Sequence, residues 1–263
     1  MSADLFNAIV DVAHTSRFLP YDKDRRWFRN KVERAMVQEI IHTADRTVIP
    51  TLTDSGRRLI KIHYYASMPP DAAEVTDWAH RWCATHGAAS SRLLWFQHAP
   101  HGARGRLMLK TFSDQDTSNA SRITQLRDCD AADSFDAFAR QLGDEGFAFL
   151  DRRLRAGHKD GPILVTTENK RIVGAIGPMS TLIDANGSTM QPPQYFAVHP
   201  DYRQKGHGRA LWRAAMAWGR DHGAEYKVLQ AASGSPAERL YLSEGLTTLG
   251  FICTQDLAST TIA

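Results

Sequence analysis

The stretch Val198-His199-Pro200-Asp201-Tyr202-Arg203-Gln204-Lys205-Gly206-His207-Gly208-Arg209 decides how this chain is read. A short apolar strand, Tyr195-Phe196-Ala197-Val198, ends at Pro200, a turn follows, and R-x-x-G-x-G opens a helix. That helix starts near Gly208 and stops at Gly223, with Leu211, Ala215 and Trp218 on one face. At a helix start the first backbone N–H groups have no intrahelical acceptor and carry the positive end of the dipole. Glycines at 206 and 208 let a phosphate approach those amides with no Cβ in the way. No Gly-Lys-Ser/Thr follows, so this is not a nucleotide-triphosphatase loop, and the glycine spacing is not the G-x-G-x-x-G of a dinucleotide fold. A Gly-x-Gly before a helix is often only a tight turn. The flanking sequence has to decide.

Downstream, Lys227-Val228-Leu229-Gln230-Ala231 reads as a strand. The next helix has a clear start: Ser235 caps, Pro236 takes the first turn, and Glu238 sits three after the cap to close a capping box. It carries Tyr241, with Gly245 four residues on, and a last strand runs near Thr247–Thr254. Upstream, Arg122 to Leu126 alternates as a strand, and two helices over 131–142 and 144–156 part at Gly143. Residues 163–167 and 172–176 read as a hairpin about Glu168-Asn169-Lys170. The order β-α-α-β-β-β-α-β-α-β is that of a mixed α/β layer architecture.

The first part of the chain is less distinct. Arg26 to Ala44 has Phe28, Val32, Met36, Ile40 and Ile41 near helical spacing. Leu59 to Tyr65 alternates as a strand, and Asp71 to His86 places Val75, Trp78 and Trp82 on one helical face. Residues 92–97 and 106–112 read as strands. The expected organisation is a smaller α+β region over 1–112, a polar linker over 113–121, and a second domain over 122–263.

Composition narrows the classes of function. The chain has 263 residues, 43% apolar and 23% charged, which is ordinary for a globular protein. No apolar run approaches the ~20 residues of a membrane helix. The N-terminus has Asp4 where a secretory signal would be basic, so export is not expected. Cys83, Cys129 and Cys253 are far apart and form no C-x-x-C, which excludes a disulfide framework and fits reduced thiols in a cytoplasm. A net charge of +3 does not mark a polyanion binder. The basic run Lys23, Arg25, Arg26, Arg29, Lys31, Arg34 reads as a solvated helix face, with RNA contact as the alternative. His98 and His101, with His63, have no carboxylate cluster nearby, and no metal is expected.

Taken together, two segments carry a family resemblance. One is Tyr195-Phe-Ala-Val-His-Pro-Asp-Tyr-Arg-Gln-Lys-Gly-His-Gly-Arg-Ala-Leu, the other Ala237-Glu-Arg-Leu-Tyr-Leu-Ser-Glu-Gly-Leu. Over about Ser121 to Thr254 the chain resembles the GNAT superfamily of N-acyltransferases, which use acetyl-CoA or another acyl-CoA. Arg203 to Gly208 satisfies that family's Q/R-x-x-G-x-G/A loop, and Tyr241 with Gly245 matches its tyrosine four before a glycine. Three positions depart from the pattern. Gly234 stands where the family often has Asn, Leu246 stands where Phe is common, and Pro192-Pro193 precede the cofactor-side strand.

The resemblance implies an α/β domain with a mixed sheet and splayed central strands, here those ending at Val198 and covering 227–231. Backbone groups of Phe196, Ala197 and Val198 would pair with the pantetheine amides. Arg203, Gln204, Lys205, Gly206, His207, Gly208 and Arg209 would anchor the pyrophosphate. Tyr241 would donate a proton to the departing thiolate, because a phenol of pKa ~10 is protonated at pH 7. The resemblance does not supply a base. His199 reads as structural, and Glu168, Asp184, Glu225 or a water chain remain candidates. The implied acceptor is a primary amine of a small molecule; membrane and nucleic acid are not expected partners, and a homodimer is compatible. A non-catalytic acyl-CoA sensor or interaction module, and more weakly aminoacyl transfer from tRNA, are the alternatives.

Overall fold

The computed structural model describes residues 33–53, 58–66, 68–97, 105–114, 116, 122–143, 146–183 and 187–257. The chain divides into two units, one of residues 1–109 with 229–263, the other of residues 110–228.

In the unit of residues 110–228, a four-stranded antiparallel sheet is built from β7 (Ile123–Gln125), β8 (Leu164–Glu168), β9 (Arg171–Gly177) and β12 (Tyr195–Val198), in the order β12-β9-β8-β7. The β8–β9 hairpin turns at Asn169 and Lys170, both with positive φ (51° and 58°), the geometry that matches the twist of a two-residue hairpin. Helices α2 (Phe135–Gln141) and α3 (Phe147–Arg155) bring Phe135, Phe138 and Phe147 together, with Phe138 and Phe147 edge-on at 5.2 Å. Tyr195, the first residue of β12, joins that aromatic cluster, its ring 6.5 Å from Phe147. Helix α4 (His207–Asp221) packs on β8 and β9 and buries Leu211, Trp212 and Ala215. Trp218 is half-buried and stacks on His222 at 3.8 Å. Short strands β10 (Leu182–Ile183) and β11 (Thr189–Met190) pair antiparallel, and β11 pairs in parallel with Tyr226 at the start of β13 (Tyr226–Ala232).

The expected linker is partly described. The Ser113 amide donates to Asp116 Oδ2 at 2.8 Å, and Lys110 meets the same carboxylate at 2.7 Å. Residues 115 and 117–121 lie outside the described residues.

In the other unit the strand order is β1-β3-β4-β5-β14-β6, from β1 (Glu33–Ala35), β3 (Arg46–Thr53), β4 (Leu59–Ala66), β5 (Ser90–Gln97), β14 (Thr247–Leu257) and β6 (Gly105–Thr111). β2 (Ile41–His42) also pairs with β3. Helix α1 (Ala72–His86) crosses between the parallel strands β4 and β5. Asp71 caps it by accepting from the Glu74 amide at 2.9 Å. Its face of Val75, Trp78 and Trp82 packs on Val48, Leu52, Ile60, Ile62 and Leu93. Helix α5 (Pro236–Ser243) leads into β14.

The helix expected over Arg26–Ala44 is corrected in its described part. Residues 33–44 form β1, a 3-10 turn at Val37–Glu39, and β2. Both strands are stabilised by a partner the local spacing cannot announce, β3, which pairs Glu33–Ala35 with Thr51–Thr53 and Ile41–His42 with Thr47–Val48. Of the basic run, Arg34 lies in β1 rather than in a helix, and Lys23 to Lys31 lie outside the described residues. Among the described residues no helix is long and apolar enough to cross a membrane.

Candidate cofactor loop and catalytic tyrosine

β12 is the end strand of its sheet, paired on one side with β9 from Tyr195↔Gly177 to Val198↔Gly174. Residues 226–228 of β13 belong to the other sheet, so the two strands expected to splay share no ladder among the described pairings. After β12 the chain makes a 3-10 turn, Pro200–Tyr202. His199 is taken up by that turn: its amide donates to Val173 O at 2.8 Å, and its Nδ1 accepts from the Asp201 amide at 3.3 Å.

The loop that follows has two left-handed residues, Gln204 at φ 62° and Gly206 at φ 87°. For glutamine this is a sparsely populated conformation, of the kind concentrated in binding loops. Gly206 holds the N-cap position of α4, and no side chain caps the helix. Among the other helices, α3 begins in the same way, at left-handed Gly146 with no side-chain cap and no acid in its first turn. There, however, the Tyr195 ring fills the space a Cβ would take, whereas the space at Gly206 is open. α1 and α5 are capped by Asp71 and Ser235 and carry Glu74 and Glu238 in their first turns. α4 has no acidic residue in its first turn. A Cβ at Gly206 would meet nothing within 4 Å, whereas one at Gly208 would touch Phe196 at 3.6 Å and Val198 at 3.7 Å. The loop therefore runs beside the end strand. It offers an open, positively polarised helix start, which suits an anion.

The side chains of the loop are not all turned outward. The Arg203 Nε donates to Val198 O at 3.1 Å, so this guanidinium closes the loop on the strand and occupies the last carbonyl of β12. Lys205 lies over the Tyr202 ring at 4.7 Å and 3.6 Å from Glu168 Oε1. His207 is buried, its Nε2 3.0 Å from Glu168 Oε2 and its Nδ1 3.3 Å from Thr166 Oγ1. Its ring fastens the helix start to β8. Gln204 and Arg209 are exposed. Glu168, a candidate base, is thus engaged with Lys205 and His207, and Glu225 accepts from the Thr189 amide at 2.8 Å. Asp184, His98 and His101 lie outside the described residues; His63 is buried in β4.

Tyr241 belongs to the unit containing α5 and is buried, 8% exposed. Its surroundings explain the spacing to Gly245. The Leu246 amide donates to Tyr241 O and the Gly245 amide to Leu242 O, both at 3.1 Å, with Gly245 left-handed at φ 80°. This is the paired-bond helix ending in which glycine takes the left-handed position and apolar residues three before and two after the cap come together. A tyrosine four residues before a glycine is therefore also a helix-stop pattern. Burial pushes the Cys83 and Cys253 thiols up, which makes neither a ready nucleophile.

Sequence spacing finds the cap of α5 but not all of its partners. Ser235 accepts from the Glu238 amide at 3.1 Å as expected. The Glu238 carboxylate, however, bonds the Gly234 amide at 2.6 Å and Arg106 Nε at 2.6 Å. Arg106 also bonds Thr248 at 2.9 Å and lies 4.7 Å from the Phe251 ring centre. The guanidinium, helped by the Gly234 amide, holds the buried Glu238 below the usual carboxylate range. That contribution to stability is complete above the ordinary glutamate range and is lost as pH falls through the lowered folded value. Arg106→Met should cost about 3 kcal/mol near neutrality, because it strands a buried carboxylate. Denaturant unfolding of both proteins should show this cost shrinking at acid pH.

The acetyltransferase (GNAT) family matches the chain over residues 123–245. No curated protein matches it. Among solved structures, an acetyltransferase from the GNAT family from Colwellia psychrerythraea is similar at 8% identity, covering 98% of each chain with a TM-score of 0.54. A tandem GNAT protein from the clavulanic acid biosynthesis pathway is similar at 11% identity over 98% of this chain and 94% of its own, also with a TM-score of 0.54. Identities this low speak for the fold alone. The family match spans just under half of the chain, and its residues 123–245 hold the end strand, the left-handed glycine and the uncapped helix that they precede.

Proposed function

We propose that the chain is an N-acetyltransferase that carries an acyl group, acetyl or a close relative, from acyl-CoA to the primary amine of a small molecule in the cytoplasm. The observation that carries this reading is the start of α4: no side-chain cap, no carboxylate in its first turn, and open space at Gly206, all beside the end strand β12. A diphosphate fits such a helix start, and an extended amide-bearing arm fits the edge of a strand. The acyl-CoA would supply the activated thioester. Amides of the 206–208 segment would hold its diphosphate, so that binding energy remote from the reaction positions the reacting carbonyl. Backbone groups of Phe196 and Ala197 would align the arm, and an N–H there would stabilise the developing oxyanion. Val198 O is already held by Arg203, so less of the strand edge serves the arm than the resemblance implies.

Tyr241 would protonate the departing thiolate. A primary amine of pKa ~10.4 must lose a proton before it attacks. His199, Glu168 and Glu225 each hold a structural partner, and a water chain would take the proton in their place. Thiol release from acetyl-, malonyl- and succinyl-CoA across a library of primary amines tests the reading. Release above hydrolysis supports a transferase. No release with any amine favours the second reading, a non-catalytic domain that binds acyl-CoA, which the helix-stop role of Tyr241 and Gly245 also accommodates.

A further inference from the structure

The run from Thr189 to Val198 begins beside β13 and ends in the other sheet. Met190 pairs in parallel with Tyr226, and the Gln191 amide donates to Tyr226 O at 2.9 Å. From Tyr195 the same chain pairs with Gly177 of β9. Between them lie Pro192 and Pro193, both buried. Proline has no N–H, so the ladder along β13 cannot continue and the buried crossing leaves no orphan donor at these two residues. The carbonyl of Pro192 is satisfied twice, by Lys227 Nζ at 2.9 Å and Gln194 Nε2 at 2.7 Å. Lys227 Nζ also donates to Gln194 Oε1 at 2.5 Å. Its side chain is among the largest fully buried ones, at 1% exposure. The other end of the crossing is tied to the helix behind the loop, where Gln191 Nε2 donates to Ala215 O of α4 at 3.0 Å.

An ammonium is costly to bury, and a methionine would fill the same volume without that cost if packing were all that was needed. What lysine adds here is a fixed bond from β13 to the point where the chain departs from it. We propose that Lys227 is a positioning residue: with the Pro192-Pro193 break and Gln194 it sets where β12 parts from β13, and so fixes the strand edge along which the pantetheine arm of an acyl-CoA is held. This rests on the acyltransferase reading above. It separates two parts of one ligand, because the loop at 203–208 holds the nucleotide diphosphate while the crossing governs only the strand that receives the arm.

The test is calorimetric titration of wild type, Lys227→Met and Gln194→Met with acetyl-CoA and, separately, with 3′-phosphorylated ADP, the half of coenzyme A without pantetheine. Lys227→Met should weaken acetyl-CoA by about tenfold or more and leave the nucleotide half within about twofold. Gln194 is half-buried, and its variant should show the same split at smaller size. That variant decides the matter if Lys227→Met does not fold. Wild-type affinity for acetyl-CoA in both variants overturns the proposal, and so does an equal loss for both ligands, which a general disturbance of the unit would give. Wild type that binds neither ligand overturns the acyltransferase reading itself, and the proposal falls with it.

Discussion

Tyr241→Phe is expected to lower turnover by about 10²–10⁴ while acyl-CoA affinity stays within about twofold. The change removes one hydroxyl and keeps a buried ring, so the packing at Leu246 and the backbone bond from the Leu246 amide to residue 241 should persist. That combination marks a group that acts in the transition state rather than in binding, as a donor to the leaving thiolate does. Steady-state kinetics with direct binding and thermal unfolding on the same samples would check it. Unchanged turnover would reduce Tyr241 to its part in ending α5. A loss of stability of about 1–3 kcal/mol with turnover intact would show that the hydroxyl serves only a buried hydrogen bond.

Gly206→Val should weaken acyl-CoA binding by about 10²-fold, which corresponds to losing charge-assisted bonds from the helix start to a diphosphate. The space is open, but φ is 87°, so any side chain at Gly206 also strains the backbone. Gly223 supplies the control. It lies just past the other end of α4, is left-handed at φ 76°, and a Cβ there meets nothing within 4 Å. Gly223→Val should therefore cost comparable stability without touching affinity. Equal affinity losses in the two variants would mean that strain, not a blocked anion site, explains the first.

These predictions draw on parts of the protein that its sequence makes legible to different degrees. The loop, the strand before it and the helix after it are local features, written in glycine positions and in the end of an apolar run. The same holds for the Asn169-Lys170 turn, the Asp71 cap and the Ser235 cap. Inward-facing partners are not local. His207 stands inside the glycine loop, yet its ring is bound by Thr166 and Glu168, the latter 39 residues away, so it serves the helix start rather than a ligand. Glu238 looks complete as a capping box until Arg106, 132 residues earlier, takes one of its oxygens. β3 goes unread because Pro50 interrupts it; in the structure Pro50 falls between the β1 and β2 pairings on one side and opposite Ile62 on the other. Nor does chain order reveal that β14 inserts between β5 and β6. That pairing lies within the unit formed by residues 1–109 with 229–263.

Isothermal titration of the full chain with acetyl-CoA tests the central reading most directly. A parallel strand–helix–strand unit elsewhere in the chain, β4–α1–β5, makes the expected stoichiometry informative. Its strands are hydrogen-bonded from Leu59↔Ser90 to Tyr64↔Trp95, and its helix start is filled by Asp71 and Glu74, so it presents neither an open strand edge between them nor an uncapped anion site. Saturable binding of about one acetyl-CoA per chain, competed by the nucleotide half of coenzyme A, is the expected result. A folded protein that takes up no acetyl-CoA at millimolar concentration would contradict the reading.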